Sequence, residues 1–204
     1  MKIFGHPMST CTRKVLMTLA ETNSPYELEV VDFAKGEHKQ EPHVSRQPFG
    51  QVPTLDDEGF KLFESRAMCR YINDKVGGTL LPKELHDRAK AEQWISIETS
   101  NFSSAAMKFI YQYTFHRPQT AETMETATKQ LTAALGVMEH QLATSPYLAG
   151  ESFSLADVCF MPYLEYAMAT PAKDVIAQHP HVAAWWAKIS ERPTWQKVAG
   201  RAAA

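Results

Sequence analysis

The chain has 204 residues, 44% of them hydrophobic, which is enough for one large domain or two small ones with separate cores. Its formal net charge of −2, from 21 basic and 23 acidic side chains, gives no electrostatic case for nucleic acid or an anionic membrane as a partner. With no apolar run near the ~20 residues of a transmembrane helix and no long apolar region of a signal peptide at its start, the chain is expected in the cytoplasm.

The first segment predicts a βαβ unit. Lys2–Gly5 is a short β run that stops at Pro7, because proline lacks the donor that a strand ladder needs. A helical pattern follows from about Thr12, and residues 26–32 then alternate apolar and polar as a half-buried strand does. Such a crossover is right-handed almost without exception.

A polar stretch with at most a short irregular helix leads to the most informative part of the chain, residues 49–71. Pro53 opens a short strand and has no N–H, so Val52 is expected at a strand edge with its backbone available to another partner. A polar turn and a return strand, Phe60–Phe63, complete a hairpin. Glu64 and Ser65 then begin a helix, whose free N–H groups and dipole suit an anion. Together these features could hold the charged ends of a small zwitterion.

The second half of the chain shows helical periodicity only. A Gly- and Pro-containing stretch, residues 78–85, is a linker by composition, so domains are expected over residues 1–77 and 86–204. One long helix is predicted from Leu85 to about Phe115, with an antiparallel partner from about residue 120 to 144. Ser154 and Asp157 predict a capping box, which marks a helix start and no active site.

Two motifs in this order and spacing identify a family. Pro-Phe-Gly-Gln-Val-Pro (residues 48–53) and Leu-Phe-Glu-Ser-Arg-Ala (residues 62–67) resemble the glutathione-binding half of the cytosolic glutathione transferases, most closely their phi class, which is common in plants and has bacterial relatives. The resemblance extends from Lys2–Gly5 to Glu-Arg-Pro at residues 191–193. It implies a thioredoxin-like α/β N-terminal domain followed by an all-α C-terminal helical bundle.

The resemblance also implies a function. The expected reaction is conjugation of glutathione, a co-substrate and not a permanently bound cofactor, to a small hydrophobic electrophile, with glutathione peroxidase activity as a possible addition. A homodimer is expected, with Phe49 as the aromatic anchor between subunits. Ser9 would donate to the glutathione sulfur and stabilise the thiolate. Glutathione itself would be bound by His38, Lys39, Gln51, Val52, Pro53, Glu64 and Ser65.

Several alternatives stay open at this point. Ser9 could only cap the first helix, and Phe49 could be buried in its own domain. Cys11, near a helix start, could instead make the protein a cysteine-type thiol transferase. Arg13, one turn into the same helix, could add positive charge near the thiolate or be a solvated surface residue. A non-catalytic carrier of hydrophobic ligands is a further possibility. An apolar acceptor pocket at the domain interface, or ordinary core packing, is expected for Met8, Met107, Tyr111 and Phe115.

Metal chemistry has no support in the sequence. The histidines form no His-Glu-x-x-His pattern, and the cysteines form no Cys-x-x-Cys pair. The three cysteines are odd in number and far apart, so reduced thiols are expected.

Overall fold

The structure is a computed structural model that describes residues 1–201. They divide into two compact units, one formed by Met1–Thr79 with the chain from Lys197 onward, the other by Leu80–Gln196. The first contains strands and helices and the second only helices, as the resemblance implies. None of the helices within residues 1–201 is both long and apolar enough to cross a membrane.

The first unit is built on a four-stranded mixed sheet with the strand order β2-β1-β3-β4. β1 and β2 are parallel, whereas β3 is antiparallel to both β1 and β4. The parallel pair brackets a helix, as the βαβ prediction requires. A 3-10 turn, Glu37–Lys39, follows β2. The elements are β1 (Lys2–Gly5), α1 (Thr10–Glu21), β2 (Glu27–Val30), β3 (Thr54–Asp57), β4 (Phe60–Phe63) and α2 (Ser65–Lys75).

The core of this unit lies where α1 and α2 pack against each other. Apolar residues at helical spacing on α1 and α2 are fully buried, together with the inward-facing residues of β1 and β3. This burial is the main force that holds the sheet and helices together. The buried set includes Ile3, Val15, Leu19, Leu55, Met68 and Ile72.

The second unit is a bundle around α6, which is buried over nearly its whole length. α6 contacts α3, α4 and α8, while α5 packs against α4, α7 and α8. The helices are α3 (Leu85–Ile97), α4 (Ser103–Phe109), α5 (Ala121–Leu142), α6 (Leu155–Ala167), α7 (Ala172–Ala177), α8 (Pro180–Ser190) and α9 (Pro193–Ala199), the last of which ends in the first unit.

The long helix predicted from Leu85 to Phe115 is helical throughout but is not a uniform α-helix. Two π segments, Glu98–Phe102 and Ile110–Thr114, interrupt it. Around the first of them, serine and threonine hydroxyls bond to the carbonyl four residues earlier, which competes with the regular helical pattern and bends helices. The hydroxyls are those of Ser96, Thr99, Ser100 and Ser103.

The starts of α6 and α8 are both capped by carboxylates. The predicted capping box is present, with Ser154 and Asp157 bonding reciprocally at the start of α6. At the start of α8 the carboxylate comes from another helix: Glu139 of α5 accepts from the backbone N–H groups of His181 and Val182. Burial opposes the charge of Glu139, but these N–H groups and the His181 ring hold its pKa below the ordinary value. The anion therefore satisfies donors that no residue of α8 itself satisfies.

Candidate active site

Four loops meet at one edge of the sheet in the first unit. The parallel strands β1 and β2 both end at this edge. β3 is antiparallel to β1 and so begins there, and β4 is antiparallel to β3 and so ends there. The topology thus brings to one edge the first-unit residues predicted for catalysis and glutathione binding, namely Ser9 after β1, His38 and Lys39 after β2, Gln51, Val52 and Pro53 before β3, and Glu64 and Ser65 after β4.

Ser9 is the N-cap of α1 and is partly exposed. Its backbone is extended (φ −74°, ψ 127°), and its Oγ accepts from the N–H of Thr12 at 3.3 Å. The cap therefore exists, but it uses the hydroxyl only as an acceptor. The O–H donor stays available, next to a helix start whose dipole favours negative charge.

The turn that carries Ser9 is tightly fixed. The N–H of Ser9 donates to the carbonyl of His6 at 2.9 Å, and the side chain of Arg13 donates to the carbonyl of Pro7 at 2.8 Å. A Cβ on Gly5 would lie 2.8 Å from the side chain of Thr12, closer than Cβ atoms are found in proteins. Only glycine therefore lets the end of β1 approach the start of α1 this closely. Arg13 buttresses the turn and is not a free surface charge.

The three cysteines differ in their surroundings. Cys11 lies one residue into α1 and is partly exposed, while Cys69 and Cys159 are buried. Burial raises the pKa of the Cys69 thiol to about 11, so this side chain behaves as a small apolar group. All three are free thiols, as predicted.

Lys39 lies against the loop that carries Phe49 and Gly50. Its Nζ donates to the carbonyl of Phe49 at 2.9 Å. A Cβ on Gly50 (φ +60°) would lie 2.6 Å from the Lys39 side chain and 2.7 Å from the carbonyl of His38. Gly50 thus allows both the left-handed backbone and the close approach. Phe49 is 66% exposed and its ring meets that of Phe63 edge-to-face, so the alternative of burial in its own unit is wrong.

His38 takes part in a row of three rings. Its ring meets Phe33 edge-on at 5.0 Å, and Phe33 stacks on His6 at 4.7 Å. Burial, and then the charges of Lys39 and His43, lower the pKa of His38. Its ring is therefore neutral at neutral pH, and in the predicted His38–Lys39 pair the positive charge belongs to Lys39.

Val52 lies outside the strand ladder, in the loop before β3. The prediction that it sits on an edge strand is wrong, because β3 is paired on both sides, with β1 and β4. Its backbone is nevertheless available, since within residues 1–201 the N–H and C=O of Val52 take part in no hydrogen bond. The bond between Val52 and Pro53 is cis. The side chain of Gln51 is exposed at the same point.

Glu64 and Ser65 form the start of α2. Glu64 is exposed, with φ 72° and ψ 102°, a conformation that non-glycine residues rarely adopt and that costs of order 1–3 kcal/mol. No side chain caps this helix, and the Ser65 hydroxyl is buried beside its first turn. This strained backbone places the Glu64 carboxylate, the Ser65 hydroxyl and the N-terminus of α2 next to one another at the sheet edge.

Two of the acceptor residues predicted in the second unit, Tyr111 and Phe115, belong to an aromatic cluster. Phe115 lies 6.4 Å from Tyr111 and 5.8 Å from Tyr166, measured between ring centroids, and the guanidinium of Arg117 lies over the ring of Tyr111. Sequence reasoning missed Tyr166, because α6 is apolar on every side and its pattern does not distinguish one face from another. Met107 is half-buried in α4, and Met8, in the first unit, is 47% exposed.

The family model described as "Glutathione S-transferase, N-terminal domain" matches residues 1–74, and that described as "Glutathione S-transferase, C-terminal domain" matches residues 102–193. The chain belongs to the glutathione S-transferase family. Glutathione S-transferase F7 of Arabidopsis thaliana is 39% identical over 97% of this chain and 98% of the relative. The predicted resemblance to the phi class, the transferase activity and the use of glutathione as co-substrate are confirmed.

Solved structures of this family match the whole fold. Glutathione transferase F7 from Populus trichocarpa superposes with a TM-score of 0.92 at 38% identity, covering 98% of each chain. Glutathione S-transferase I from maize, solved with an atrazine glutathione conjugate, superposes with a TM-score of 0.90 at 36% identity, covering 98% of this chain and 96% of that one. The predicted glutathione transferase fold is confirmed.

Proposed function

We propose that this transferase activates glutathione through Ser9 and binds it along the sheet edge formed by the four loops. The observation that carries the proposal is the convergence there of a free hydroxyl donor at the start of α1, a free backbone at Val52 and the uncapped start of α2. The maize relative in complex with a glutathione conjugate supports conjugation as the reaction.

Each part of glutathione has a partner of matching chemistry. The γ-glutamyl end lies at α2, with its amino group on the carboxylate of Glu64 and its carboxylate on Ser65 and the helix N–H groups. The cysteinyl backbone pairs with Val52, beside Pro53. The glycine carboxylate lies near Lys39, with the neutral ring of His38 and the side chain of Gln51 as hydrogen-bonding groups.

Conjugation requires the protein to stabilise the thiolate form of glutathione. A free thiol has a pKa near 8.5 and is mostly protonated at neutral pH. The hydroxyl of Ser9 and the dipole of α1 stabilise the anion, and the thiol proton passes to water. The sulfur then forms a bond to the electrophilic carbon, and the leaving group departs with the electrons of the broken bond.

The electrophile is proposed to bind against the apolar side chains predicted for this role. Met8 is exposed in the first unit, and Met107, Tyr111 and Phe115 are partly exposed in the second. The adjacent Tyr166 extends this aromatic surface. Pockets of this kind accept many apolar electrophiles, because their side chains are interchangeable.

The proposal is tested by turnover of a generic electrophile, such as a chlorodinitrobenzene, with and without glutathione. The wild type should be active only with glutathione, and Ser9→Ala should lose most of that rate at neutral pH. Binding of the electrophile without turnover in the wild type would contradict conjugation and support a carrier. Reduction of a peroxide by glutathione is a separate assay, and peroxidase activity stays a prediction.

A homodimer is also proposed, with Phe49 as its anchor. Phe49 is 66% exposed, so its ring is accessible to a second copy of the chain. The second unit contains a cavity of about 400 Å³ between α5 and the end of α3, which could receive this ring from a second copy. Its apolar walls are Ile97, Ala133, Ala134 and Val137.

A cytoplasmic location is also proposed. All three cysteines are free thiols, as is usual in a reducing compartment. Cell fractionation with a marker of each compartment tests this location.

A further inference from the structure

Gln51 is held on both sides by two buried side chains that belong to no motif. Its N–H donates to Oε1 of Gln47 at 3.2 Å, and its carbonyl accepts from Nε2 of His43 at 2.7 Å. His43 is 3% exposed and Gln47 is 2% exposed. We call His43 and Gln47 the Gln51 clamp.

The bond from His43 has a defined direction. A carbonyl oxygen can only accept, so the ring carries its hydrogen on Nε2. The other ring nitrogen, Nδ1, is buried, and within residues 1–201 it has no hydrogen-bond partner. Burying a polar ring costs free energy that hydrogen bonds must offset. The contact with Gln51 is the one that offsets this cost.

The clamp is itself rigid, because both of its residues lie on one short turn. The N–H of Gln47 donates to the carbonyl of His43 at 2.9 Å, and the N–H of His43 donates to the carbonyl of Gln40 at 2.9 Å. The N–H of Gly50 returns to the carbonyl of Gln47 at 2.9 Å. The turn and the loop up to Gln51 thus move as one piece.

This arrangement gives the neighbouring residues Gln51 and Val52 different roles. Both main-chain polar groups of Gln51 are engaged by the clamp, so Gln51 can offer a ligand only its exposed side chain. The next residue, Val52, has the opposite character, with a free backbone. The C=O of Gln51 and the N–H of Val52 share one peptide plane, so the clamp sets which way the Val52 N–H points.

We infer that His43 and Gln47 are positioning residues for glutathione binding, which act through Gln51 and Val52 without touching the ligand. The inference rests on the proposed binding of glutathione at this edge. It predicts an effect on affinity for glutathione and none on the chemical step, because Ser9 is carried by a different element, the start of α1.

The decisive comparison uses three substitutions of His43. His43→Gln keeps an amide donor three bonds from Cβ, as in histidine, and should retain near wild-type affinity. His43→Leu keeps the bulk but has no donor, and His43→Asn places its donor one bond too short. Both should raise the Kd for glutathione about 3- to 10-fold, the equivalent of one lost hydrogen bond.

The measurements are the Kd for glutathione by titration calorimetry on the full chain, and kcat and KM for glutathione with a chlorodinitrobenzene as the probe electrophile. In His43→Leu, KM should rise with Kd while kcat at saturating glutathione stays within about twofold. Gln47→Met, which removes the acceptor for the Gln51 N–H, should behave in the same way. Ile72→Val, a buried change on α2, controls for loss of stability alone and should leave Kd unchanged.

Each outcome decides a different point. If the wild type does not bind glutathione, the proposed function fails. If the wild type binds but His43→Leu and Gln47→Met bind equally well, the clamp is a packing feature and the inference is overturned. If His43→Leu does not fold, the pair His43→Gln and His43→Asn decides, and equal affinities in that pair overturn the inference.

Discussion

The indole Nε1 of Trp185 donates to Oδ1 of Asp157 at 3.0 Å, joining α8 to the start of α6. The same buried carboxylate accepts from the N–H of Leu148 and from both the N–H and the hydroxyl of Ser154. Burial raises the pKa of Asp157, although all four donors favour its anion. A residue expected only to complete a local cap thus connects three parts of the second unit.

Replacing Asp157 should therefore be costly. Asp157→Ala leaves four buried donors without an acceptor, so we expect a loss of about 3–5 kcal/mol in the free energy of unfolding of this unit. All four tryptophans, at positions 94, 185, 186 and 195, lie in the second unit, so their fluorescence reports on it during urea unfolding. Trp185→Phe, followed by circular dichroism, removes one donor and should cost only about 1 kcal/mol. Equal losses in the two variants would show that the carboxylate acts through Trp185 alone.

The first unit should lose stability in acid through Asp57. Its carboxylate is bonded to Lys75 and Tyr71, which link β3 to α2, and these bonds hold its pKa below the ordinary value of 3.8. The stabilisation is present above the unfolded pKa and is lost as the pH falls through the lower folded pKa. Hydrogen exchange of β3 and α2 amides should rise over that range in the wild type. In Asp57→Asn these amides should already exchange faster at neutral pH, and their exchange should depend less on acid. If the acid dependence is the same in the variant as in the wild type, it arises from other carboxylates.

Ser9 should control the pKa of bound glutathione. Losing one hydrogen bond to a charged acceptor removes ~1.5–3 kcal/mol of stabilisation, so in Ser9→Ala the thiol pKa should rise by ~1–2 units. Thiolate absorbance, titrated against pH with glutathione bound, measures this directly. Ser9→Thr keeps both the hydroxyl and the cap and serves as the matched control. A titration unshifted in Ser9→Ala would remove Ser9 from the mechanism.

Cys11 is the rival to Ser9 and can be tested separately. Cys11→Ser should leave conjugation nearly intact if Ser9 is the thiolate stabiliser. A cysteine-type mechanism predicts the opposite, namely loss of a glutathione-dependent thiol exchange. It also predicts a wild-type protein that gains the mass of one glutathione as a mixed disulfide. Intact-protein mass spectrometry after incubation with oxidised glutathione distinguishes the two.

Phe49 should control assembly. If its exposed ring inserts into a second copy, Phe49→Ala removes a buried aromatic worth several kcal/mol and shifts the protein toward monomer. Sedimentation velocity at micromolar concentration measures the shift. The control is Val30→Ala, which should not change the assembly. Val30 is 54% exposed and lies on the edge strand β2. An unchanged dimer in Phe49→Ala would assign the anchor to other residues.

The features predicted best from the sequence are those decided by near neighbours. The cap at Ser154 depends on a residue three positions away, and the hairpin before Phe63 depends on a turn and two short strands. The Gln51 clamp could not be predicted in this way, because a histidine in a polar stretch normally indicates a solvated surface. The cap that Glu139 provides for His181 joins residues 42 positions apart and leaves no periodic signal.

The motif before β3 also shows that a local sequence pattern does not report which strands pair. Gln-Val-Pro correctly predicts an available Val52 backbone, but for the wrong reason, since β3 is an inner strand of the sheet. Strand order depends on which strands pair across the whole unit, and a proline alone cannot report it. The π segments were missed because periodicity alone cannot separate a π turn from an α turn within one helix.

Those π segments determine how the helix between Leu85 and Thr114 tolerates a change of length. Each π turn accommodates one more residue than an α turn does, so the two together act as two single-residue insertions. Deleting one residue from Glu98–Phe102 would let this π turn become an α turn with little change downstream, whereas deleting one residue from α3 would turn every later side chain by about 100° around the helix axis. Met107 and Tyr111 would then face a different direction, although no residue among them had changed. In α3, a deletion would therefore do more harm to the acceptor surface than most substitutions.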